Sequence, residues 1–399
     1  LSLCTRAGTT GNAGLDTAGL FDPGTEGNGE PFIVSLVLPL GAATSIKAGT
    51  PYDATFRFFT SLKSVKNEGV ISIGNYAFAN CAALTEASFT TVTAVAIGVV
   101  AFAHCTSLTT VNIPMAATIG QEAFYGCTSL TTVDITAASS IGASAFSNCS
   151  SLASIDLPGA VTLTAYAFSG CTALNTITLG AGLLSIGASG GYTFAECINL
   201  TNITIDPSNT AFSSSADHRM ILDATGALVA YPSASGALTL PSTITAINAY
   251  AFARCTSLTS AIFPDVTSIG SSAFAECDSL TTVSLPSAGN IGSNAFTECT
   301  SLITANLPSV TSIGAFAFSN CHALSSLLSL PVTPPTLDSS GVLPNTNSGA
   351  GAGTTLTIHV PSAAALSAYT SAWGVVNPAN AGTETVYGTN HKRVLIATP

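Results

Sequence analysis

Charged side chains are scarce in this sequence. Asp, Glu, Lys and Arg together make up 7% of the 399 residues, whereas about a quarter is usual for a globular protein. Neutral polar residues, mainly Thr, Ser, Asn and Gly, must therefore provide most of the surface that faces water. A fold with so few charges needs these residues at regular positions, and a repeated structure provides them.

Basic residues are the scarcer of the two charge types. Nine Lys and Arg stand against 20 Asp and Glu, which gives a formal net charge of −11. Proteins that bind nucleic acid neutralise phosphates with clustered Lys and Arg, and attraction to anionic lipid needs the same clusters. The sequence contains no basic cluster, so we expect neither kind of partner.

The sequence also lacks a hydrophobic run long enough to span a bilayer, which requires about 20 apolar residues. The longest run, Val92 to Ala103, is short and is interrupted by Thr93 and Gly98. At the beginning of the chain, Leu1-Ser2-Leu3-Cys4 has a weak similarity to the end of a bacterial lipoprotein signal, in which Cys4 would carry a lipid anchor. The residue before that cysteine should be small and here is Leu, so a frayed chain end is the alternative.

A repeated unit dominates the middle of the chain. A Phe-x-x-Cys-x-x-Leu core recurs ten times, with Ala before the Phe in nine copies, and six of the nine steps between successive copies are 22 residues long. Its phenylalanines are Phe78, Phe102, Phe124, Phe146, Phe168, Phe194, Phe252, Phe274, Phe296 and Phe318. Self-similarity at this period is typical of solenoid proteins.

Each unit predicts one coil of such a solenoid. A Leu-x-x-Val-x-Leu/Ile segment reads as a short strand, as at Leu108, Val111 and Ile113. Ile-Gly then turns the chain, and the Ala-Phe-x-x-Cys segment returns as a short helical turn. One unit offers about five large apolar side chains, and burying each of them stabilises the fold by roughly 1.5–3 kcal/mol. Fixing the backbone costs about 1–2 kcal/mol for every residue of the unit. A single unit therefore cannot fold, and we expect the coils to stack with their strands in parallel.

The repeat resembles the BspA-type leucine-rich repeat family of bacterial surface proteins. The segment from Val266 to Thr281 carries the matching text, Val-Thr-Ser-Ile-Gly-x-x-Ala-Phe-x-x-Cys-x-Ser-Leu-Thr. The resemblance implies an α/β repeat solenoid with parallel strands on the concave face and short helical turns on the convex face. It also implies an extracellular or cell-surface location and adhesion to proteins, cells or matrix, with no catalytic residue and no cofactor.

Four regions follow from this pattern. We predict an unassigned N-terminal region at 1–45, the repeat array at 46–331 and a C-terminal cap segment at 332–399. Within the array, the 58-residue step between two copies predicts a longer, hairpin-bearing repeat at about 206–246.

Ten of the eleven cysteines occupy one position of the repeat, from Cys81 to Cys321. We expect them to form an inward-facing column, in which cysteine acts as a small hydrophobic residue. Neighbouring coils lie within the range that a disulfide allows, but parallel side chains do not point at each other. The pattern therefore favours buried free thiols over scattered disulfides. A zinc site has less support still, because the sequence has no C-x-x-C pair.

The outward positions of the strands are the candidate binding surface. They carry hydroxyl, amide and carboxylate groups and almost no aromatic side chains. The members selected are Thr109, Thr110, Asn112, Thr131, Thr132, Asp134, Ser154 and Asp156. The alternative is that Thr occurs there because it suits an exposed strand. Binding hot spots are usually Trp, Tyr or Arg, so a concentrated patch is predicted at Tyr231 in the long repeat, or at Tyr369 and Trp373 in the tail.

Three functions are compatible with these features. The first is a binding or adhesion module whose partner is a protein or glycan outside the cell. The second is a structural spacer or coat protein without a specific ligand. The third is a polysaccharide-degrading enzyme on a parallel β-helix, which would need paired carboxylates. Asp134 and Asp156, about one coil apart, are the pair that the sequence offers.

Overall fold

The computed structural model describes residues 35–38, 56–67, 72–90, 95–188, 191–337, 356–360, 362, 365, 368–369, 371–372 and 393–397. The chain forms two compact units, Leu1–His218 and Arg219–Pro399. The predictions for Cys4, for Trp373 and for most of the region at 1–45 fall outside the described residues.

Each coil of the first unit has three sides. The strand side carries the outward residues selected above, a short-strand side follows it, and a turn side carries the repeated phenylalanine. The strand side contains β1 Ser35–Leu38, β2 Ser64–Asn67, β4 Glu86–Phe89, β6 Thr110–Asn112, β8 Thr132–Asp134, β10 Ser154–Leu157, β12 Thr176–Leu179 and β14 Asn202–Ile205. The short-strand side contains β3 Ser72–Ile73, β5 Val95–Ile97, β7 Ala116–Ile119, β9 Ser140–Ile141, β11 Thr162–Thr164 and β13 Ser185–Ala188, and β15 Phe212–Ser214 lies in the longer repeat.

Neighbouring strands of the first unit pair in parallel, one repeat apart. Thr110 pairs with Thr132 on the strand side, and Ile119 pairs with Ile141 on the short-strand side. The short-strand side is a single six-stranded sheet, whereas the strand side is divided into a five-stranded sheet ending at β8 and a three-stranded sheet beginning at β10.

The second unit begins with an antiparallel hairpin of β16 Ile221–Asp223 and β17 Leu228–Ala230. The β17 strand then continues in parallel into the short-strand side, which contains β19 Ala246–Ile247, β21 Ser268–Ile269, β23 Asn290–Ile291, β25 Ser312–Ile313 and β27 Thr336–Leu337. The strand side contains β18 Gly236–Leu238, β20 Leu258–Ile262, β22 Thr282–Ser284, β24 Thr304–Asn306, β26 Ser326–Leu328, β28 Leu356–Val360 and β29 Arg393–Ala397. This strand side is one seven-stranded parallel sheet.

The repeated phenylalanines form a stacked column inside each unit. The ring centroids of Phe124 and Phe146 lie 5.1 Å apart with planes 11° from parallel, and Phe274 and Phe296 stack at 5.0 Å in the second unit. All four side chains are 0% exposed. The prediction that the coils stack upon one another is confirmed, because these rings lie one above the other in successive repeats.

The cysteine column lies beside the phenylalanines. All ten cysteines of the repeat are buried and free, as the sequence favours. Each thiol donates a hydrogen bond to a backbone carbonyl of the preceding coil; Cys127 Sγ, for example, lies 3.1 Å from the carbonyl oxygen of Phe102. The thiols therefore serve as hydrogen-bond donors between coils as well as filling space.

The turn side is not helical, so the prediction of short helical turns is wrong. Among the described residues, helical conformation occurs at Ala365, Ala368, Tyr369, Ser371 and Ala372, which all lie in the tail. The turn side instead contains tandem turns, in which positions two before and two after each phenylalanine have positive φ angles, such as 54° at Glu122 and 69° at Gly126.

The hydrogen bonds of the turn side explain this difference. In an α-helix every N–H group donates to a carbonyl four residues back. Here alternate N–H groups donate to the next coil, as from Phe124 to the carbonyl of Ala145 at 2.8 Å. The groups between them donate three residues back, as from Cys127 to Phe124 at 3.2 Å. A helix would use all of its donors internally and would leave the stacked coils without these bonds.

The glycine of the Ile-Gly pair allows the coils to approach closely. A Cβ atom at Gly142 would lie 2.6 Å from the backbone nitrogen of Gln121 and 2.6 Å from the carbonyl carbon of Gly120. Gly292 in the second unit has the same close contact with Gly270. The backbones therefore touch at this corner, where no side chain fits.

Candidate functional site

The outward residues of the first unit lie on the strand side, as the repeat pattern predicts. Thr132 and Ser154 are exposed, while Asn112 and Asp134 are partly exposed and occupy paired positions on β6 and β8. All eight predicted strand-side residues are exposed or partly exposed: Thr109, Thr110, Asn112, Thr131, Thr132, Asp134, Ser154 and Asp156. The structure therefore brings this set together on one side of the coils.

Two of these hydroxyl groups already have a partner within the protein. Thr131 Oγ1 donates to the carbonyl of Thr109 at 3.1 Å, and Thr109 Oγ1 donates to the carbonyl of Thr85 at 3.0 Å. Such bonds join successive coils, and we call them hydroxyl staples. Thr109 and Thr131 thus have a structural role, and their hydroxyl oxygens retain acceptor capacity for an external group.

The two carboxylates lie on strands that face each other across the division of the strand side. Asp134 Oδ1 accepts a weak hydrogen bond of 3.4 Å from the N–H of Thr136. Asp156 is exposed on β10. The site is thus neutral at its threonines and negatively charged at this pair.

Two of the three aromatic residues predicted to form a concentrated binding patch, Tyr231 and Tyr369, are buried. Tyr231 is 5% exposed, and its ring packs 5.9 Å from that of Phe252. Tyr369 is 0% exposed, and its hydroxyl donates to the carbonyl of Pro331 at 2.9 Å. Burial raises the pKa of the Tyr369 hydroxyl.

The assignment of Tyr231 and Tyr369 to a binding surface is therefore corrected. Tyr231 follows Ala230 as the phenylalanine follows alanine in the repeat, and Cys255 Sγ lies 3.3 Å from its carbonyl oxygen. It takes the place of a core phenylalanine, and this match of position was visible in the sequence. Trp373 lies outside the described residues.

A pair of tyrosines on the turn side was not singled out from the sequence. The rings of Tyr166 and Tyr192 stack at 5.0 Å, 3° from parallel, and both are partly exposed. Each stands two residues before a repeated phenylalanine, Phe168 or Phe194. Tyrosine at this one repeat position in consecutive units is the signal that could have identified them.

The described residues bear on two further features, metal sites and membrane-spanning helices. No group of three or more His, Cys, Asp or Glu side chains is placed to hold a metal ion there. Within the same residues, no helix has the length and apolar character needed to cross a membrane.

Comparison with known families identifies the repeat. Residues 52–139, 95–219 and 232–333 match the BspA type Leucine rich repeat region, in six copies. The chain belongs to the BspA-type leucine-rich repeat family. The resemblance seen in the sequence is thereby confirmed, and the matches cover more than half of this BspA-type chain.

Several solved structures are similar to this BspA-type protein. A leucine-rich cell surface protein from Faecalibacterium prausnitzii is 26% identical, with a TM-score of 0.57, over 81% of this chain and 92% of that one. A leucine-rich repeat protein from Bacteroides ovatus is 22% identical, with a TM-score of 0.47, over 84% of this chain and 88% of that one. No curated protein matches the chain in sequence.

Proposed function

We propose that this protein is secreted or attached to the cell surface and binds a protein or glycan outside the cell. Membership of the BspA-type family and the similarity to a cell surface protein of Faecalibacterium prausnitzii support the location. The proposed binding surface is the strand side of the first unit.

The observation that carries the proposal is the row of outward polar groups at fixed intervals. Thr110 and Thr132 are paired on neighbouring strands, as are Ser154 and Thr176 further along. Parallel strands lie about 4.8 Å apart, so the rows offer donors and acceptors at a regular spacing. Such a surface suits an extended ligand with many hydroxyl or amide groups.

We expect binding to be broad and of low affinity. Large aromatic and arginine side chains supply most of the binding energy in tight interfaces, and the eight outward residues selected here include none. The six neutral members of this set contribute neutral hydrogen bonds, each of which adds only about 0.5–1.5 kcal/mol net.

A binding screen with matched variants tests this proposal. The probes are a printed glycan array and immobilised collagen, fibronectin and laminin. Thr132→Arg places a long cation on the strand side and should weaken binding to any positive probe at least tenfold. The control is Thr118→Arg, since Thr118 is an equally exposed threonine on β7 of the short-strand side.

Two outcomes would contradict the proposal. The first is the absence of binding to every probe. The second is an equal loss of binding in the Thr132 and Thr118 variants, which would place the contact elsewhere.

The second candidate function is a structural spacer without a specific ligand. The hydroxyl staples of Thr109 and Thr131 favour it, because they give threonine a role inside the array that needs no partner. A spacer would bind no probe, and Thr131→Ala would lower its thermal stability without changing any interaction.

A further inference from the structure

One backbone hydrogen bond recurs along the strand side of the first unit. In most coils of the first unit, the N–H of the first outward residue donates to the carbonyl of its counterpart one coil earlier. The N–H of Thr131 donates in this way to Thr109 at 3.0 Å, and that of Asn175 donates to Ala153 at 2.9 Å. We call each such bond a rung.

The rung from Ala153 to Thr131 is missing. Residues 95–188 are all described, and within them no backbone bond joins these two residues. A second backbone bond, at the other end of the strand, is also missing. The N–H of Ile113 donates to the carbonyl of Asp134 in the next coil at 2.8 Å, whereas Ile135 makes no such bond to Asp156. We call this interruption between β8 and β10 the seam.

Side-chain burial independently marks the seam. Val133 points inward from β8 and is only partly buried, whereas its counterparts Val111 and Ile155 are buried. Water therefore reaches an inward position of the repeat at this place. The seam therefore coincides with a partly exposed inward side chain as well as with a gap in the hydrogen bonding.

The other two sides of the coils remain joined at the same level. On the short-strand side, Ser140 and Ile141 of β9 pair with Thr162 and Leu163 of β11. On the turn side, the N–H of Phe146 donates to the next coil at 2.8 Å. The seam thus interrupts one side of the coil while the other two stay continuous, and this is the geometry of a hinge.

Two features of the sequence coincide with the seam, although rungs also form at Asn175 and Ile303, which have no hydroxyl. Ala153 stands where Thr109 and Thr131 have a hydroxyl, so the staple across this step cannot form. Asp134 and Asp156 occupy the same repeat position on neighbouring strands, and like charges placed opposite each other in a sheet are destabilising.

We infer that the first unit bends at the seam between β8 and β10, pivoting on the short-strand and turn sides. The bending changes the spacing between the outward residues of β8 and those of β10. The hinge divides the strand side that the proposed function assigns to ligand binding, but its existence does not depend on that assignment.

Hydrogen–deuterium exchange of the full chain tests the inference. The amides of Ala153 and Ser154 should exchange at least tenfold faster than those of Thr131 and Asn175, which form rungs. The double variant Ala153→Thr, Asp134→Asn should slow the exchange at 153 and 154 at least tenfold. The control is Asn175→Thr, which adds a hydroxyl at the same repeat position where the rung is intact. This variant should leave the exchange at 153 and 154 unchanged.

Nitroxide pairs measure the motion itself. Labels at Thr110→Cys and Thr176→Cys span three strand steps across the seam, and labels at Ser260→Cys and Ser326→Cys span three steps of the continuous sheet. We expect a broader distance distribution for the first pair. Equal widths, or equal exchange at Ala153 and Asn175, would overturn the inference even if the double variant did not fold. The exchange and distance measurements need no ligand. A negative result in the binding screen for the proposed function would therefore not affect them.

Discussion

The strand sides of the two units differ although both are built from the same 22-residue repeat. In the second unit, the seven strands of the strand side form one continuous sheet. The rungs from Thr281 to Thr259 at 2.8 Å and from Ile303 to Thr281 at 2.8 Å are both present there. In the first unit the sheet is interrupted between β8 and β10.

The interiors of the two units are alike, so the difference comes from the surface. Phe124 and Phe146 stack as closely in the first unit as Phe274 and Phe296 do in the second. The outward residues, by contrast, are Ala153 and two aspartates at the seam. A core repeat therefore sets the stacking of the coils, while the outward residues decide whether each step of the sheet closes.

The largest expected effect is the loss of stability at high pH, to which Cys127 in the first unit and Cys255 in the second should contribute equally. Burial raises the pKa of the Cys127 and Cys255 thiols from 9.0 to about 12. The unfolded chain ionises first, so the stability that each neutral buried thiol contributes is fully present below pH 9 and is lost as the pH rises towards 12. Each such thiol should remove about 1.4 kcal/mol per pH unit within that window.

Denaturant unfolding between pH 8 and pH 11 measures this loss. Cys127→Ala and Cys255→Ala should each reduce the loss of unfolding free energy with rising pH by the same amount, which is about the contribution of one thiol. A difference between the two variants would show that the interiors are not equivalent.

The next largest effect concerns the phenylalanine column. Phe146→Ala and Phe274→Ala should each lower the free energy of unfolding by about 3–5 kcal/mol, because each removes a fully buried ring. Phe212→Ala should cost less, since Phe212 is only partly buried in the longer repeat. Guanidinium unfolding of the three variants checks the order; equal losses in all three would mean that the column is not the core.

Much of this architecture could be predicted from the sequence. The 22-residue period places Phe146 and Cys149 in register with the next coil, so stacking and buried thiols follow from spacing alone. The turn side could not be predicted in the same way. The Ala-Phe-x-x-Cys spacing suits one turn of a helix. In the structure, alternate N–H groups of this segment donate to the next coil, and the sequence of a single unit does not show these bonds.

The site was predicted in part for a similar reason. Strand alternation places Thr132 and Ser154 outward, which the structure bears out. Tyr231 was assigned to a binding patch because tyrosine is a common hot-spot residue and lies here in the long repeat. The adjacent Ala230 nevertheless preserves the repeat pattern, and the ring is in the core. The seam depends on contacts between residues 22 positions apart, which a reading of one unit at a time does not reveal.

A smaller effect is expected where the coils touch at the Ile-Gly corner. Gly142→Ala and Gly292→Ala should each cost about 1–3 kcal/mol, because the new methyl group has backbone of the preceding coil 2.6 Å away. The control is Gly182→Ala, where the closest neighbour would be Val161 Cγ2 at 3.9 Å. Thermal unfolding should rank Gly182→Ala nearest to the unchanged protein, and a large loss in that variant would point to a cause other than close approach.

The smallest effect tests the difference between the two strand sides directly. Ala153→Thr should stabilise the first unit by about 0.5–1 kcal/mol, the net gain of one hydrogen bond to the carbonyl of Thr131. The reverse change in the second unit, Thr281→Ala, removes a staple of 2.9 Å to Thr259 and should cost a similar amount. Denaturant midpoints measured on both variants decide the matter. If Ala153→Thr has no effect while Thr281→Ala is costly, the missing hydroxyl does not cause the seam, and the repulsion between Asp134 and Asp156 must be its main origin.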